Sequence, residues 1–193
     1  MKLQTQARRF AKSAARQILD FMLKPSSVAD RRRYVTILFS DLCDSVGLAE
    51  SMGDVRYAEV LRDLRDVSRT VVARHGGRVA RIQGDGMLAF FGFSTHTIED
   101  ARRAVACALE LHEEVGAVAL NRIGRDGSLL AMHTGIHSGL TCVETGDVER
   151  GRFDLVGSAP NLAARLCGLA GRNQIFDRTD GRPPIGCTLC GGP

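Results

Sequence analysis

Residues 78–93 read RVARIQGDGMLAFFGF, two apolar runs (Arg78–Gln83 and Met87–Phe93) joined by Gly84-Asp85-Gly86. Glycine reaches positive φ without a Cβ clash and aspartate tolerates turns, so the stretch predicts a β-hairpin with an acid at its tip. Upstream, Tyr34–Ser40 (YVTILFS) is short, apolar and β-branched, the pattern of a buried strand. Between them, Ser45 to about His75 carries Val60, Leu61, Leu64, Val67 and Val71 at helical spacing, and His75-Gly76-Gly77 ends the pattern. Downstream, residues 99–115 predict a second helix with Ala101, Ala104, Val105, Ala108 and Leu109 inward. Leu129–His137 predicts a strand, Leu140–Glu144 its hairpin partner, and Ser158–Leu169 a third helix.

The order strand–helix–strand–strand–helix–strand predicts a ferredoxin-like α+β sandwich. In that topology the third strand lies antiparallel beside the first. The end of the first strand, Asp41, then meets the start of the third, Asp85, although 44 residues separate them. Two carboxylates at a strand end suit a hard divalent cation such as Mg²⁺, whose shell substrate phosphates complete. Taken alone, the pair also reads as two turn acids facing solvent, since Asp-Gly turns form for conformational reasons.

Composition narrows the classes. The chain has 193 residues, 44% hydrophobic and 25% charged, and reads as one globular body. No apolar run is long enough to span a bilayer or to act as a secretion signal, so a cytoplasmic location is expected. Six scattered cysteines do not form a disulfide scaffold and are expected to be reduced. Residues 1–33 hold nine Lys/Arg against two Asp/Glu, while the remaining 160 residues hold 17 against 20. The body is net acidic, which argues against a nucleic-acid partner. Within the basic segment, Leu3, Ala7, Phe10, Ala14, Ile18 and Phe21 draw an apolar stripe beside Arg8, Arg9, Lys12 and Arg16. Such a helix either contacts an anionic membrane surface or serves as a linker that packs on its own domain or a twin chain. The predicted domains are a basic amphipathic helix and linker (1–33), a body (34–170) and a short Gly/Pro-rich tail (171–193) whose composition argues against packing.

Four stretches, VTILFSDLCDS (35–45), RIQGDGMLAFFG (81–92), GIHSG (135–139) and FDLVGSAPNLAARL (153–166), resemble the catalytic domain of class III nucleotidyl (adenylate/guanylate) cyclases in order and spacing. The resemblance implies metal binding by Asp41 and Asp85, with the Leu42 carbonyl as a further ligand, for two Mg²⁺ or Mn²⁺ ions. It places Arg81 where adenylate cyclases often carry a purine-reading lysine, and Asp154 where the adenine amino group is accepted. Asn161 matches the residue that orients the ribose, and Arg165 the one that stabilises the pentavalent phosphorus. It further implies a homodimer with sites shared between chains, the aspartates from one and the purine-reading residues and Asn/Arg helix from the other.

The residue types fit these roles. Asn161 and Arg165 are four apart and share a helix face, while Leu162, Leu166 and Leu169 form a separate stripe expected to pack on the sheet. Arginine offers a planar, permanently charged fork to a phosphoryl group. Ionised Asp154 only accepts hydrogen bonds, matching the adenine 6-amino group and not the guanine 6-oxo group. The pattern departs from the family at Asp44 and Val46, where a glycine and a hydroxyl residue are usual, at Arg81, and at the C-terminus. There the chain is expected to be short and lacks a counterpart of the late triphosphate-holding lysine. His133 and His137 read as structural, and Cys187-x-x-Cys190 as half of a zinc pattern without its second pair. The expected function is an adenylate cyclase converting ATP to cyclic AMP and pyrophosphate. The alternatives are a catalytically inactive cyclase-like regulatory module and a guanylate cyclase.

Overall fold

The computed structural model describes residues 32–123, 130–145, 153–178 and 185–188. The chain divides between Arg32 and Arg33 into two units, and the second is described below. The predicted N-terminal amphipathic helix, Leu129 and Cys190 lie outside the described residues. Among the described residues, no helix is long and apolar enough to cross a membrane.

The elements are β1 (Arg32–Leu42), α1 (Ser45–Met52), α2 (Asp54–Arg74), β2 (Arg78–Gln83), β3 (Gly86–Phe91), α3 (Ile98–Ile123), β4 (Met132–Thr145), β5 (Phe153–Val156), α4 (Ser158–Leu169), β6 (Gln174–Arg178) and β7 (Ile185–Thr188). One sheet runs β2-β3-β1-β4-β6-β7, with β5 also paired to β4. Its first four strands have the order expected of the ferredoxin-like arrangement, with β3 antiparallel to both β1 and β2. The sheet is mixed, because β6 joins β4 in parallel.

Period-2 alternation along β1 divides the core. Leu38 and Leu42 point to the face covered by α2 and α3, where Val60, Leu64, Val71, Ala104, Ala108 and Leu111 close the larger cluster. Val35 and Ile37 point to the opposite face and meet Ala159 and Ala163 of α4. Buried hydroxyls stitch β1 to β4 on the first face: Thr36 Oγ1 to Ser138 Oγ and Ser40 Oγ to Thr134 Oγ1, each at 2.8 Å. The pairs descend along β4 as they climb β1, so these strands are antiparallel.

Several boundaries differ from the sequence reading. The long helix predicted from Ser45 is two helices, because Gly53 takes φ 78°, closes α1 with its N–H on Ala49 and caps α2. The helix predicted to end near 115 continues to Ile123. Gly116 faces open space, and Val118 and Ala119 extend the buried stripe. Most instructive is β4, a single strand where a hairpin was expected; the strand that turns back on its C-terminal end, at Cys142–Thr145, is β5. The glycines of GIHSG do not turn the chain. They let α4 approach: a methyl on Gly135 would run into the Ala163 carbonyl and the Cys167 amide, and one on Gly139 would stand 3.0 Å from the Ala159 methyl. The stripe expected to seat α4 is likewise corrected. Ala159, Ala163, Leu166 and Cys167 pack inward, whereas Leu162 is half-buried and Leu169 is 70% exposed. Small residues are needed because the backbones touch. The segment read as an unpacked tail contributes β6 and β7, whose pairing runs from Gln174↔Thr188 to Asp177↔Ile185.

Candidate active site

The β1–β3 register pairs Ser40 with Met87, so Asp41 at the end of β1 lies against Gly86 at the start of β3. A Cβ on Gly86 would stand 3.3 Å from Asp41 Oδ1, and the small residue leaves room for the carboxylate. Asp85 is in the tight β2–β3 turn, where Gly84 holds φ 63°. Arg65 of α2 donates from Nη2 to the Gly84 carbonyl at 3.1 Å and braces that turn from behind.

These residues open onto a cleft of about 320 Å³ lined by Phe39, Asp41, Arg81, Gln83, Asp85, Gly86 and Leu88. It lies on the α4 side of the sheet, beyond the cluster in which α4 and β5 cover Val35, Ile37, Ala80 and Phe90. A β-bulge decides its lining. The β2–β3 register shifts between Val79 and Arg81, so Ala80 and Arg81 both leave the face that Val79 and Ile82 share. Strict alternation would have sent Arg81 under α2. The bulge turns its guanidinium, and Gln83 after it, toward the aspartates.

The crowding of the two acids is visible in their chemistry. Burial pushes the Asp41 carboxyl up to about 6, and the Asp85 charge and a hydrogen bond between the two carboxyls push in the same direction. The Leu42 amide donates to Asp41 Oδ1 at 3.1 Å and partly offsets this. Such a pair is short of positive charge, and its donors are hard oxygens, so a divalent cation fits where a proton otherwise bridges. Among the described residues, no group of three or more His, Cys, Asp or Glu is placed to hold a metal. A cation here would therefore need further oxygen from backbone, water or substrate.

The other predicted residues lie elsewhere on the chain. Asn161 and Arg165 are both exposed on α4, and Asp154 is exposed on β5 opposite Glu144. None of the three lines the cleft. Arg81 was expected to act with them; the bulge brings it to the cleft of its own chain, beside the aspartates. His133 and His137 face the Ala170 and Arg178 carbonyls through Nδ1, each at 3.1 Å, as structural histidines do. Gln83 and the apolar walls Phe39 and Leu88 were not foreseen. Phe39 was readable, being two residues before Asp41 on the same strand; Gln83 was not, because the bulge resets the parity.

The adenylate and guanylate cyclase catalytic domain family matches residues 27–178, most of the chain. The chain belongs to that family. Among relatives, Adenylate cyclase 2 of Rhizobium meliloti (strain 1021) is 29% identical over 133 residues, covering 68% of this chain and 36% of its own length. The chain thus spans little more than a third of that relative. The crystal structure of the guanylyl cyclase Cya2 superposes with a TM-score of 0.68 at 33% identity, covering 76% of this chain and 75% of that one. The adenylyl cyclase CyaB from P. aeruginosa superposes with a TM-score of 0.66 at 22% identity, 76% of each chain being covered, and shares the fold. The α+β body with its mixed sheet is that of this nucleotidyl cyclase domain.

Proposed function

We propose that this cyclase domain is an adenylate cyclase that converts ATP to cyclic AMP and pyrophosphate. The observation that carries the reading is the Asp41–Asp85 pair at the mouth of an open cleft, crowded enough to hold Asp41 near 6. Asp41, Asp85 and the Leu42 carbonyl would hold two Mg²⁺ or Mn²⁺ ions. When bound, the ions acidify the ribose 3′-hydroxyl and neutralise the phosphates. The chain's own groups do the rest. Asn161 orients the ribose so that the 3′-oxygen faces the α-phosphorus in line with the departing pyrophosphate. Arg165 counters the charge that builds on the phosphoryl oxygens. Asp154 accepts from the adenine amino group, and Arg81 donates to a purine nitrogen.

Because Asp154, Asn161 and Arg165 are exposed and outside the cleft that holds the aspartates, the proposal requires a second copy of the chain. A twofold homodimer would set the α4 face of one chain over the cleft of the other, making two equivalent sites. A second reading, cyclisation of GTP, draws on the 33% identity to the guanylyl cyclase Cya2, and Asp154 opposes it. Incubating the purified chain with Mn²⁺ and either ATP or GTP, then measuring cyclic product, tests the function. Cyclic AMP is expected, and no cyclic product from either nucleotide overturns it.

A further inference from the structure

Ser40 is the last residue of the β1–β3 ladder and stands immediately before Asp41. Its Oγ lies 2.8 Å from Thr134 Oγ1 on β4, and Thr134 Oγ1 in turn lies 2.9 Å from His112 Nε2 on α3. All three side chains are buried. Past Asp41, the Cys43 N–H donates to the Ala131 carbonyl at 2.9 Å, so the β4 side holds the chain both before and after the acid. The Asp41 side chain itself leaves on the opposite face, toward the cleft.

The line of hydrogen bonds has a direction. Among the described residues, His112 Nδ1 has no hydrogen-bond partner. A proton there would make a buried N–H with nothing to receive it, which folded chains avoid more strictly than an unused acceptor, so the ring proton belongs on Nε2. His112 then donates to Thr134, and the single Thr134 hydroxyl proton goes to Ser40. What the line must resist is its neighbour. Asp41 is crowded by Asp85, and two ionised carboxylates at this range push the end of β1 away from the β2–β3 turn.

We propose that His112, Thr134 and Ser40 are positioning residues for Asp41, a directed line of buried hydrogen bonds that pins the end of β1 to β4 and keeps the two carboxylates close enough to share a divalent cation. The inference rests on the reading of Asp41 and Asp85 as the cation-holding pair. A second hydroxyl pair supplies the comparison. Thr36 Oγ1 and Ser138 Oγ also stand 2.8 Å apart between β1 and β4, buried, but one turn of the alternation further from Asp41. Losing either pair costs the fold a buried hydrogen bond, and only the pair beside Asp41 bears on the cation.

The test is isothermal titration of the full chain with Mn²⁺ alone, together with a thermal melt. The proteins compared are wild type, Thr134→Val, Thr134→Ser, Ser40→Ala, Thr36→Val and Asp85→Ala. Thr134→Val should bind Mn²⁺ about three- to tenfold more weakly, the equilibrium equivalent of one buried hydrogen bond. Thr134→Ser keeps the hydroxyl and should bind as wild type does. Thr36→Val should melt lower and yet keep wild-type affinity. Should Thr134→Val prove unfolded, Ser40→Ala carries the same expectation from the other end of the line. Equal weakening in Thr36→Val and Thr134→Val, or wild-type affinity in both Thr134→Val and Ser40→Ala, overturns the positioning role; if Asp85→Ala is weakened in the same experiment, the cation-holding pair stands. Wild-type affinity in Asp85→Ala, or no binding by the wild type, overturns that pair and the positioning role with it.

Discussion

Asp41 and Gly86 face each other across the β1–β3 ladder, one step beyond the Ser40↔Met87 pair, with 3.3 Å between Asp41 Oδ1 and the point a Cβ on Gly86 would occupy. That register sets the carboxylate of one strand against the turn that carries Asp85. It also explains why Asp41 is costly to the metal-free fold.

Asp41→Asn should therefore stabilise the metal-free protein while abolishing turnover. The Asp41 carboxyl is raised from 3.8 to about 6, so its contribution to stability is present below 3.8 and lost as pH rises through 6. Above pH 6 the fold holds an ionised, crowded acid. In chelator, the variant should melt higher than wild type at pH 7.5, and the gap should narrow through pH 4.5 and close below pH 3.8. A variant that melts lower at pH 7.5 removes the crowding.

His112 acts in the opposite direction. It is buried on α3, with Nε2 2.9 Å from Thr134 Oγ1, and burial together with the His133 charge pulls it from 6.5 down to about 4. Among the described residues its Nδ1 has no hydrogen-bond partner. The stability it supports is full above pH 6.5 and is lost as pH falls toward 4. Between pH 7 and 5 wild type should lose about 2 kcal/mol more than His112→Gln, from the energy per pKa unit. Urea unfolding at the two pH values measures the difference, and parallel losses would mean His112 is not held neutral.

Gly135→Ala tests how closely α4 must approach. With the Ala163 carbonyl and Cys167 amide where the methyl would go, α4 has to lift from β4. Overpacking of this kind costs about 1–3 kcal/mol. Activity should fall by more than stability explains, because Asn161 and Arg165 ride on α4. Wild-type turnover in a folded Gly135→Ala protein would separate the helix position from the chemistry.

The proposed function gives base choice to Asp154 at the purine edge. Asp154→Ala should lower the ratio of ATP to GTP cyclisation by about tenfold or more, since a site built to pair a polar group rejects the base that leaves it unpaired. Competition assays with both nucleotides read the ratio directly. An unchanged ratio shows that Asp154 does not read the base.

Much of this was legible in the sequence, for reasons that can be located. The aspartate pair followed from the β-branched run at Tyr34–Ser40, the Gly84-Asp85-Gly86 turn and the topology that pairs their strands; none depends on distant packing. The third helix was placed correctly from its pattern, yet its buried face was misread. Leucine spacing suggested one stripe, while Gly135 and Gly139 draw the backbones together and only alanines and Cys167 fit between. The same stretch was expected to break between His137 and Leu140, which divided β4 in two. The side to which Arg81 and Gln83 point was illegible, because one bulged residue after Val79 reverses the alternation and leaves no mark in composition. Pairing of β6 with β4 was equally hidden, since a five-residue strand gains its stability from a ladder formed far along the chain.

The composite site is tested most directly by mixing Asp85→Ala chains with Arg165→Ala chains, each inactive alone, and measuring cyclic nucleotide at high protein concentration. A shared site predicts recovery, because each mixed dimer rebuilds one site with intact aspartates from one chain and intact Arg165 from the other. A mixture that stays inactive after subunit exchange has been demonstrated, with wild type active under the same conditions, contradicts it.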